Sequence, residues 1–364
     1  MSFLFLLLSI CILYVNCLIN NRYVSSSRTI DNHNVMMVSS SSLSIPPTQF
    51  MDCTKRAAVA TGKLIASGNK LIEVEFPPLP LEYLEDSSSS ARDIADANTR
   101  WAIEFAKGFA FNGKISIIYP DQEELEDAMI FVNKNYGNDF LKQNVNVTLS
   151  TIRVDSLKNA ASLDKIIGSI FGATFAGEVA GIEGTKLYIA LVSSTQELPD
   201  LEKLHNLDPT VPIVFFNLKL DQLRGDLGLP LFPGRDLHYR FLSKVKPSFI
   251  MRSRSFATSL RRPPFIINYS GLLYRNYPEP YQCILNTGDG KSKLSQTMEE
   301  RPTNKAFRDA LTATLIVPGV PKEELQTKGE LVWWEKDMVI LLIILSLLLF
   351  LLLLQLLLLG KRSI

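Results

Sequence analysis

Histidine and cysteine are scarce in this sequence, which limits the chemistry that it can carry. There are 3 histidines and 4 cysteines among 364 residues. His33, His205 and His238 lie far apart, so their spacing gives neither a HExxH pair nor a zinc cluster. Cys53 and Cys283 lack a CxxC partner and a nearby histidine, which indicates ordinary thiols. From these residue types we predict no catalytic residue and no metal site.

The glycine-rich motifs of familiar enzymes are also missing. The stretch GATFAGEVAGIEG lacks the GK[ST] ending of a P-loop, and no GxGxxG follows the first predicted strand. GSIFG at Gly168–Gly172 places its serine wrongly for a nucleophile elbow. A net charge of +1 gives no sign of a nucleic-acid partner. These absences disfavour an enzyme built on a known motif, and they leave any cofactor unknown.

The N-terminus carries a short apolar run followed by a polar segment. Phe3–Val15 has the length of a signal-peptide core and is too short to span a bilayer. Residues 18–49 are rich in serine and asparagine and contain a single acidic residue, which is typical of a transit peptide. A signal peptide over 1–17 followed by this segment predicts import into a plastid of secondary type. The alternative is a secretory protein of endoplasmic reticulum or secretory membranes, with a disordered linker.

The C-terminus contains one long hydrophobic run. Met338–Gly360 has two polar side chains, and its length matches the ~20 residues that cross a bilayer as a helix. Trp333 and Trp334 precede it, where indole rings favour the headgroup region. The sequence therefore predicts a transmembrane helix that anchors the protein in a membrane after a linker at 317–337.

Residues 50–316 are predicted to form one α/β domain. Apolar strands, such as Leu71–Phe76, Lys114–Tyr119 and Val145–Val154, alternate with amphipathic helical segments. This alternation predicts a mostly parallel sheet flanked by helices, similar to a Rossmann fold. After residue 243, closely spaced strands follow one another, so we expect antiparallel strands at one edge of the sheet.

Positive charge is concentrated in one segment. Residues 217–262 contain ten basic and three acidic side chains, a local balance of +7. Tyrosines follow closely and are candidate contact residues provided that they are exposed. The candidate interaction or ion-pair surface consists of Asn217, Asp221, Arg224, Asp226, Arg235, Asp236, His238, Arg240, Tyr269, Tyr274, Arg275 and Tyr277.

Three interpretations of this surface stay open. Arg224, Asp226, Arg235 and Asp236 could form paired ion bridges that fix loops at the carboxyl ends of the strands. The segment could instead dock a partner protein or an anionic lipid headgroup near a membrane. A crevice at the strand ends could also bind a phosphate-bearing ligand through the arginines. Single-stranded RNA is a weaker candidate because no RNA-binding signature is present. His238 fits a structural hydrogen-bonding role better than a catalytic one.

Six segments resemble, in the same order, a plastid protein family. They are IEVEFPPLPLEYL, ANTRWAIEFAKGF, VFFNLKLDQLRGDLG, FPGRDLHYRFLS, FIMRSRSFATS and PPFIINYSGLLYRNYPEPYQ. The resemblance spans Thr54 to Asn286 and points to the domain-of-unknown-function family that includes the low photosystem II accumulation proteins of chloroplasts. It implies residence in a plastid, and some members are implicated in assembling photosystem II. It supplies no active site, and the leucine-rich C-terminal span is not part of the family pattern.

These observations lead to one expectation and one alternative. We expect a plastid, membrane-anchored accessory protein that is a non-catalytic assembly or interaction factor for photosynthetic membrane complexes. Its partners would be the membrane itself and a thylakoid membrane-protein client, such as a photosystem II subunit. The alternative is a nucleotide- or phosphometabolite-dependent enzyme that uses the arginine-rich crevice.

Overall fold

The computed structural model describes residues 43–85, 89–109, 113–143, 146–154, 178–260, 263–288, 290–322 and 325. The predicted signal peptide, most of the transit-peptide-like segment, and the predicted membrane anchor at 338–360 lie outside these residues. Within the described part, no helix combines the length and the apolar character that a membrane span requires.

Eleven strands can be placed in the described part of the chain. They are β1 Leu71–Glu75, β2 Lys114–Tyr119, β3 Val147–Thr151, β4 Arg153–Val154, β5 Glu178–Val179, β6 Thr185–Ala190, β7 Ile213–Phe216, β8 Lys246–Ser259, β9 Ile266–Asn276, β10 Tyr281–Asn286 and β11 Ser292–Met298. Nine form one sheet in the order β11-β10-β9-β8-β1-β7-β6-β2-β3, and β4 pairs with β5 separately. The strands from β3 to β8 in this order are parallel, whereas β9, β10 and β11 extend the sheet in antiparallel fashion. The mixed sheet therefore agrees with the predicted fold class.

Helices cover both faces of this sheet. Their bounds are α1 Phe50–Ala66, α2 Leu81–Glu85, α3 Ala91–Lys107, α4 Gln122–Tyr136, α5 Phe140–Gln143, α6 Leu198–Leu207, α7 Leu220–Asp226, α8 Asp236–Arg240 and α9 Asn304–Thr314, with a 3₁₀ turn at Leu242–Lys244. Capping residues define where several of these helices begin. Ser90 and Asp93 form a reciprocal capping box at α3, and Asp121 caps α4 by accepting from the Glu124 amide at 2.9 Å.

Side chains of the parallel strands are apolar towards both faces, as expected for a sheet that is buried on both sides. Towards one face, Ile72 and Val74 of β1 join α1, α3 and α4 in a single core cluster. Towards the other, Ile213 and Phe215 of β7 pack with the leucines of α6 and α7. A third cluster lies between β8–β10 and α9, where Phe307 is buried. The core is therefore split into layers by the sheet.

The connections that follow two neighbouring strands cross to opposite faces of the sheet. β1 and β7 are adjacent and parallel, but the helices that follow them lie on different faces. α3 packs into the cluster that contains Val74, whereas α7 packs into the cluster that contains Phe215. In open α/β sheets, ligands bind where neighbouring strands send their connections to opposite faces, outside the carboxyl ends of the strands. This topology directs attention to the residues that follow Glu75 and Phe216.

Candidate functional site

A crevice of about 190 Å³ opens at the carboxyl ends of β1 and β7. Pro77, Leu81 and Ile94 supply an apolar wall, and Lys219 and Arg252 supply polar side chains. A site with apolar walls and a few converging polar groups is the usual form of a small-molecule site. The volume is below the range of about 300–1,000 Å³ that is typical of drug-sized ligand sites, so the crevice suits only part of such a ligand.

Asn217 holds the crevice together directly after β7. Its Oδ1 accepts from the amide of Phe76 at 2.9 Å, and its Nδ2 donates to Asn98 Oδ1 at 2.9 Å. The backbone is left-handed at Asn217 and at Lys219, with φ of 55° and 50°. Asparagine tolerates this conformation better than other L-residues, whereas lysine does not share that advantage. Both ends of the Asn217 amide are used within the protein, so this side chain braces β1, β7 and α3.

A cluster of ion pairs, largely buried except at Asp221, forms the polar wall of the crevice. Arg252 donates from Nε to Glu75 Oε1 at 2.6 Å, and its two terminal nitrogens contact Glu75 and Asp221. Arg301 donates to Glu73 Oε2 at 2.8 Å and lies 3.1 Å from Asp221 Oδ2. Because Arg252 and Glu75 are largely shielded from water, removing one partner of this pair would cost about 3–5 kcal/mol.

Successive side chains of β1 point to opposite faces of the sheet, and this explains how Glu73 and Glu75 reach the ion-pair cluster. Ile72 and Val74 point towards one core cluster, so Glu73 and Glu75 point towards the opposite face. Glu75 pairs in register with Ile250 of β8, which places Arg252 one repeat further on the same face. The strand geometry thus brings acids and an arginine together.

Burial and the charges of the arginines shift the pKa values of the acids in this cluster in opposite directions. Burial raises the pKa of Glu73 above its ordinary value, although Arg301 opposes that shift. Burial also acts to raise the pKa of Asp221, but the charges of Arg301, Arg252 and Arg224 outweigh it and lower that pKa. Three acids are thus matched by three arginines, and the cluster is close to neutral. An anionic ligand in the crevice would compete with these carboxylates for the arginines.

The predicted ion bridges connect different residues from those expected. Arg224 lies 3.7 Å from Asp221, within its own helix α7. Asp226 accepts from the Thr195 hydroxyl at 3.3 Å. Arg240 binds Glu202 of α6 through two hydrogen bonds of 2.7 and 2.9 Å and also contacts Asp236. Arg235 is exposed and forms no ion pair with a described residue. The Arg224–Asp226–Arg235–Asp236 set is therefore not one network.

The aromatic part of the predicted surface lies mainly in the core. Tyr269 and Tyr274 are buried, so the condition of exposure is not met for these two residues. Tyr277 is half-buried, and Arg275 lies over the ring of Tyr281 at 4.5 Å. Successive side chains of β9 point to opposite faces of the sheet. Tyr269 therefore faces α9, and Tyr274 faces the core cluster on the other side. His238 is half-buried, and its Nδ1 has no hydrogen-bond partner among the described residues.

Sequence reasoning missed Glu73, Glu75, Arg252 and Arg301 as members of the site. Two acids in alternate positions of the apolar strand LIEVE were the available signal, because charged residues are almost never fully buried unless they are paired. The sequence shows no corresponding signal for Arg301. Its partner Glu73 lies 228 positions away along the chain.

A second surface feature is a loop with exposed apolar side chains. The amide of Gly228 donates to Pro233 O at 2.8 Å and closes the loop, and Phe232 N donates to Leu229 O at 3.1 Å within it. Leu231 is 96% exposed and has a left-handed backbone with φ of 70°. We call Leu229–Phe232 the apolar loop. The side chain of Arg235 lies against Gly228, so a cation borders this loop.

Reactive thiols and metal clusters are not found in the described part. Cys53 and Cys283 are buried and unpaired, and burial raises the pKa of both thiols to about 11. Such thiols are poor nucleophiles near neutral pH. No group of three or more histidine, cysteine, aspartate or glutamate side chains among the described residues is arranged to hold a metal.

Comparison with known proteins gives one match. The family model described as "Domain of unknown function (DUF1995)" matches residues 47–309. No curated protein and no solved structure matches the chain.

Proposed function

The chain belongs to the DUF1995 family of unknown function, and from this premise we propose that the protein is a non-catalytic accessory factor. It docks a membrane-protein client through the apolar loop, with Arg235 at its border. The proposal rests on one observation, the exposure of Leu231 on a loop that hydrogen bonds hold in shape.

The conformation of the apolar loop supports a binding role. Isolated exposed apolar residues are common, but Leu231 is almost fully exposed, in a backbone region that disfavours leucine. Strained residues persist where surrounding contacts enforce them, and they occur preferentially at functional sites. Leu229 and Phe232 of the same loop and Tyr239 of α8 are exposed as well. Aromatic side chains and arginine are the residue types that contribute most to protein interfaces.

Several polar groups at the crevice already bond to other groups of the protein, which supports a non-catalytic role. Arg252 and Arg301 are already bound by acids, and Asn217 uses both ends of its amide. The groups that would hold and polarise a substrate are therefore engaged in bracing the strand ends. The same contacts give the domain a rigid framework for the apolar loop, since α7 leads directly into that loop.

The location and the client belong to the same proposal. The transit-peptide-like composition of 18–49 and the resemblance to plastid proteins support a plastid. The hydrophobic run at 338–360 supports attachment to a membrane there. Attachment would raise the local concentration of the domain around membrane clients and so reduce the affinity that the loop itself must supply. A photosystem II-like complex in the thylakoid is the client that this combination favours.

The test is site-specific crosslinking in the full chain. A photo-crosslinking phenylalanine derivative at Leu231, in a cell that contains plastids, is expected to give an adduct with an integral membrane subunit of a photosynthetic complex. The adduct should be recovered from the thylakoid fraction and identified by mass spectrometry. The Phe232→Ser variant should reduce its yield about tenfold, as loss of about 1.4 kcal/mol of binding free energy would do.

The control uses Leu207, which is also exposed but lies at the end of α6. The same derivative at Leu207 is expected to give no such adduct. Equal adducts from both positions would refute docking through the apolar loop. Asn146 and Asn268 begin the glycosylation sequons Asn-Val-Thr and Asn-Tyr-Ser. Residence in the endoplasmic reticulum, with a glycan at either residue, would refute the plastid location.

The crevice supports a second candidate, a nucleotide- or phosphometabolite-dependent enzyme. Lys219 favours it, because this left-handed residue lines the crevice and forms no ion pair with a described residue. A ligand that binds only the folded state must raise the melting temperature. A rise in melting temperature with ATP that Lys219→Ala abolishes would favour this enzyme over the accessory factor.

A further inference from the structure

A second cavity lies at the amino ends of β1 and β8, opposite the crevice at the carboxyl ends of the parallel strands. Its volume is about 650 Å³. Glu73 of β1, Arg224 of α7, Lys246 of β8, and Arg275 and Tyr281 of the antiparallel strands line it, together with His238. We call it the amino-end cavity. Its size falls within the range of about 300–1,000 Å³ of small-molecule sites.

Buried polar atoms without a partner are concentrated around this cavity. Glu73 Oε1 and the hydroxyl of Tyr281 have no hydrogen-bond partner among the described residues, although the two residues are only 2% and 1% exposed. The Nε atoms of Arg224 and Arg275 and Nδ1 of His238 share this property. An unsatisfied buried polar group costs about 1–3 kcal/mol. Several such groups around one cavity therefore indicate a polar ligand.

The lining residues specify the kind of ligand. Arg224, Lys246, Arg275 and Arg301 are the cations that line it. Glu73 is the one buried carboxylate, whereas the other two lining acids, Glu299 and Glu300, are exposed to solvent. Arg275 forms no ion pair with any described residue and lies over the ring of Tyr281. Arg224 lies near Asp221 and donates to Leu242 O through its terminal nitrogens, but its Nε has no partner within the described part of the chain, and neither has that of Arg275. Free guanidinium donors suit a phosphate. Glu73 Oε1 requires a neighbour that can donate or accept, according to its protonation, and a hydroxyl does both.

We propose that the amino-end cavity binds the phosphate ester of a small polyol. Arg224, Arg275 and Lys246 hold the phosphate, and a hydroxyl of the polyol bonds to Glu73 Oε1 and to the hydroxyl of Tyr281. Glycerol phosphate is the smallest common group with this chemistry. It occurs as a free metabolite and as the headgroup of phosphatidylglycerol, and both sources share the recognition. This binding does not depend on the apolar loop, which is a separate feature.

The test is calorimetric titration of the full chain with glycerol 3-phosphate. Binding is expected to be at least about tenfold tighter than that of inorganic phosphate, because a hydroxyl gains the partners left unpaired by phosphate alone. Tyr281→Phe removes one oxygen atom and should weaken glycerol 3-phosphate binding about tenfold. Without ligand, this variant should be as stable as the parent or more stable, because the lost hydroxyl has no described partner.

Two controls separate the outcomes. Tyr83→Phe changes an exposed tyrosine of α2, 60% accessible, and should leave the titration unchanged. Flotation with phosphatidylglycerol vesicles, against phosphatidylcholine vesicles, tests the lipid source. Binding to these vesicles alone, weakened by Tyr281→Phe, would assign the site to the headgroup. Failure of both probes, or binding that Tyr281→Phe leaves unchanged, would overturn the proposal. Equal binding of inorganic phosphate and glycerol 3-phosphate would overturn it as well.

Discussion

At the scale of single residues, Glu73 connects the stability of the fold to pH. It lies on an inner strand and is 2% exposed. One of its carboxylate oxygens, Oε2, accepts a hydrogen bond from Arg301. Burial raises its pKa, so between the pKa of an exposed glutamate, about 4.3, and the raised value the folded state holds more protons than the unfolded state. Stability therefore falls as pH rises through this window, and the full penalty applies above the raised pKa.

Replacing Glu73 with glutamine should remove this pH dependence. The glutamine side chain has a similar shape but does not titrate, so the free energy of unfolding should fall less steeply with rising pH than in the parent. Urea denaturation between pH 4 and pH 8 measures the slope. The slope is the readout, because the substitution also leaves Arg301 beside a neutral amide instead of a carboxyl group, which changes the absolute stability. Glu300→Gln, at an exposed position, is the matched control, and a parent-like slope in Glu73→Gln would contradict the prediction.

The residue scale also marks the limit of sequence-based prediction of the site. The charge concentration after residue 217 drew attention to Asp221 and Arg224, and both lie at the ion-pair cluster. Which charges meet is decided by strand register and by contacts between distant segments. Arg252 reaches Glu75 through the β1–β8 register, and Arg301 arrives from the far end of the domain. Neither contact leaves a local pattern in the sequence.

At the scale of elements, α9 packs against β9 at a glycine. A Cβ at Gly271 would lie 2.5 Å from a Leu311 methyl and 2.7 Å from the carbonyl oxygen of Ile284. The backbone oxygen belongs to the neighbouring strand β10, so it cannot move without disturbing the sheet. This contact explains why the third core cluster closes tightly between the strands and the helix.

Gly271→Ala should therefore destabilise the protein. We expect a loss of about 1–3 kcal/mol in the free energy of unfolding, the usual effect of overpacking. Gly62→Ala in α1 is the matched control, because a Cβ there meets nothing within 4 Å. That control should stabilise by about 0.8–1.0 kcal/mol, since alanine is the better helix former. Chemical denaturation of both variants measures the difference, and equal effects would contradict the packing argument.

Elements differ in how far the sequence predicts them. β2 has the bounds that the apolar run Lys114–Tyr119 predicts, and β1 ends one residue earlier than expected. Helix α1 was not predicted, because its buried face consists mainly of alanine, threonine and cysteine rather than large apolar residues. The buried positions do recur at helical spacing, but small side chains mark a core-facing stripe less clearly than leucine or isoleucine would. This face packs closely against α3 and β8 because its side chains are small.

At the scale of the whole molecule, the cooperative unit extends beyond the family match. The match ends at residue 309, but Ala310 and Leu311 of α9 are buried in the third core cluster, and Leu325 is buried as well. The two cavities lie at opposite edges of this unit. Asp221 and Arg252 of the ion-pair cluster line the crevice, and Glu73 and Arg301 of the same cluster line the amino-end cavity, so the cluster connects the two.

The chain of residues 44–325 should fold without the flanking segments, in one cooperative transition. A chain of residues 44–309 lacks Leu311 and should lose at least about 2–5 kcal/mol, the cost of deleting one large buried side chain. Urea denaturation followed by circular dichroism and by tryptophan fluorescence measures both chains. Transitions that do not coincide, or equal stability of the two chains, would contradict this prediction.

The pairing of Arg301 with Glu73 also has a consequence for the order of folding. The two residues are 228 positions apart, so β1 contains an uncompensated acid until almost the entire domain has left the ribosome. Contacts of such long range are entropically costly and form slowly. β1, the first strand to be synthesised, is therefore among the last to gain its stabilising contacts. We expect the domain to fold after synthesis is complete rather than progressively during it.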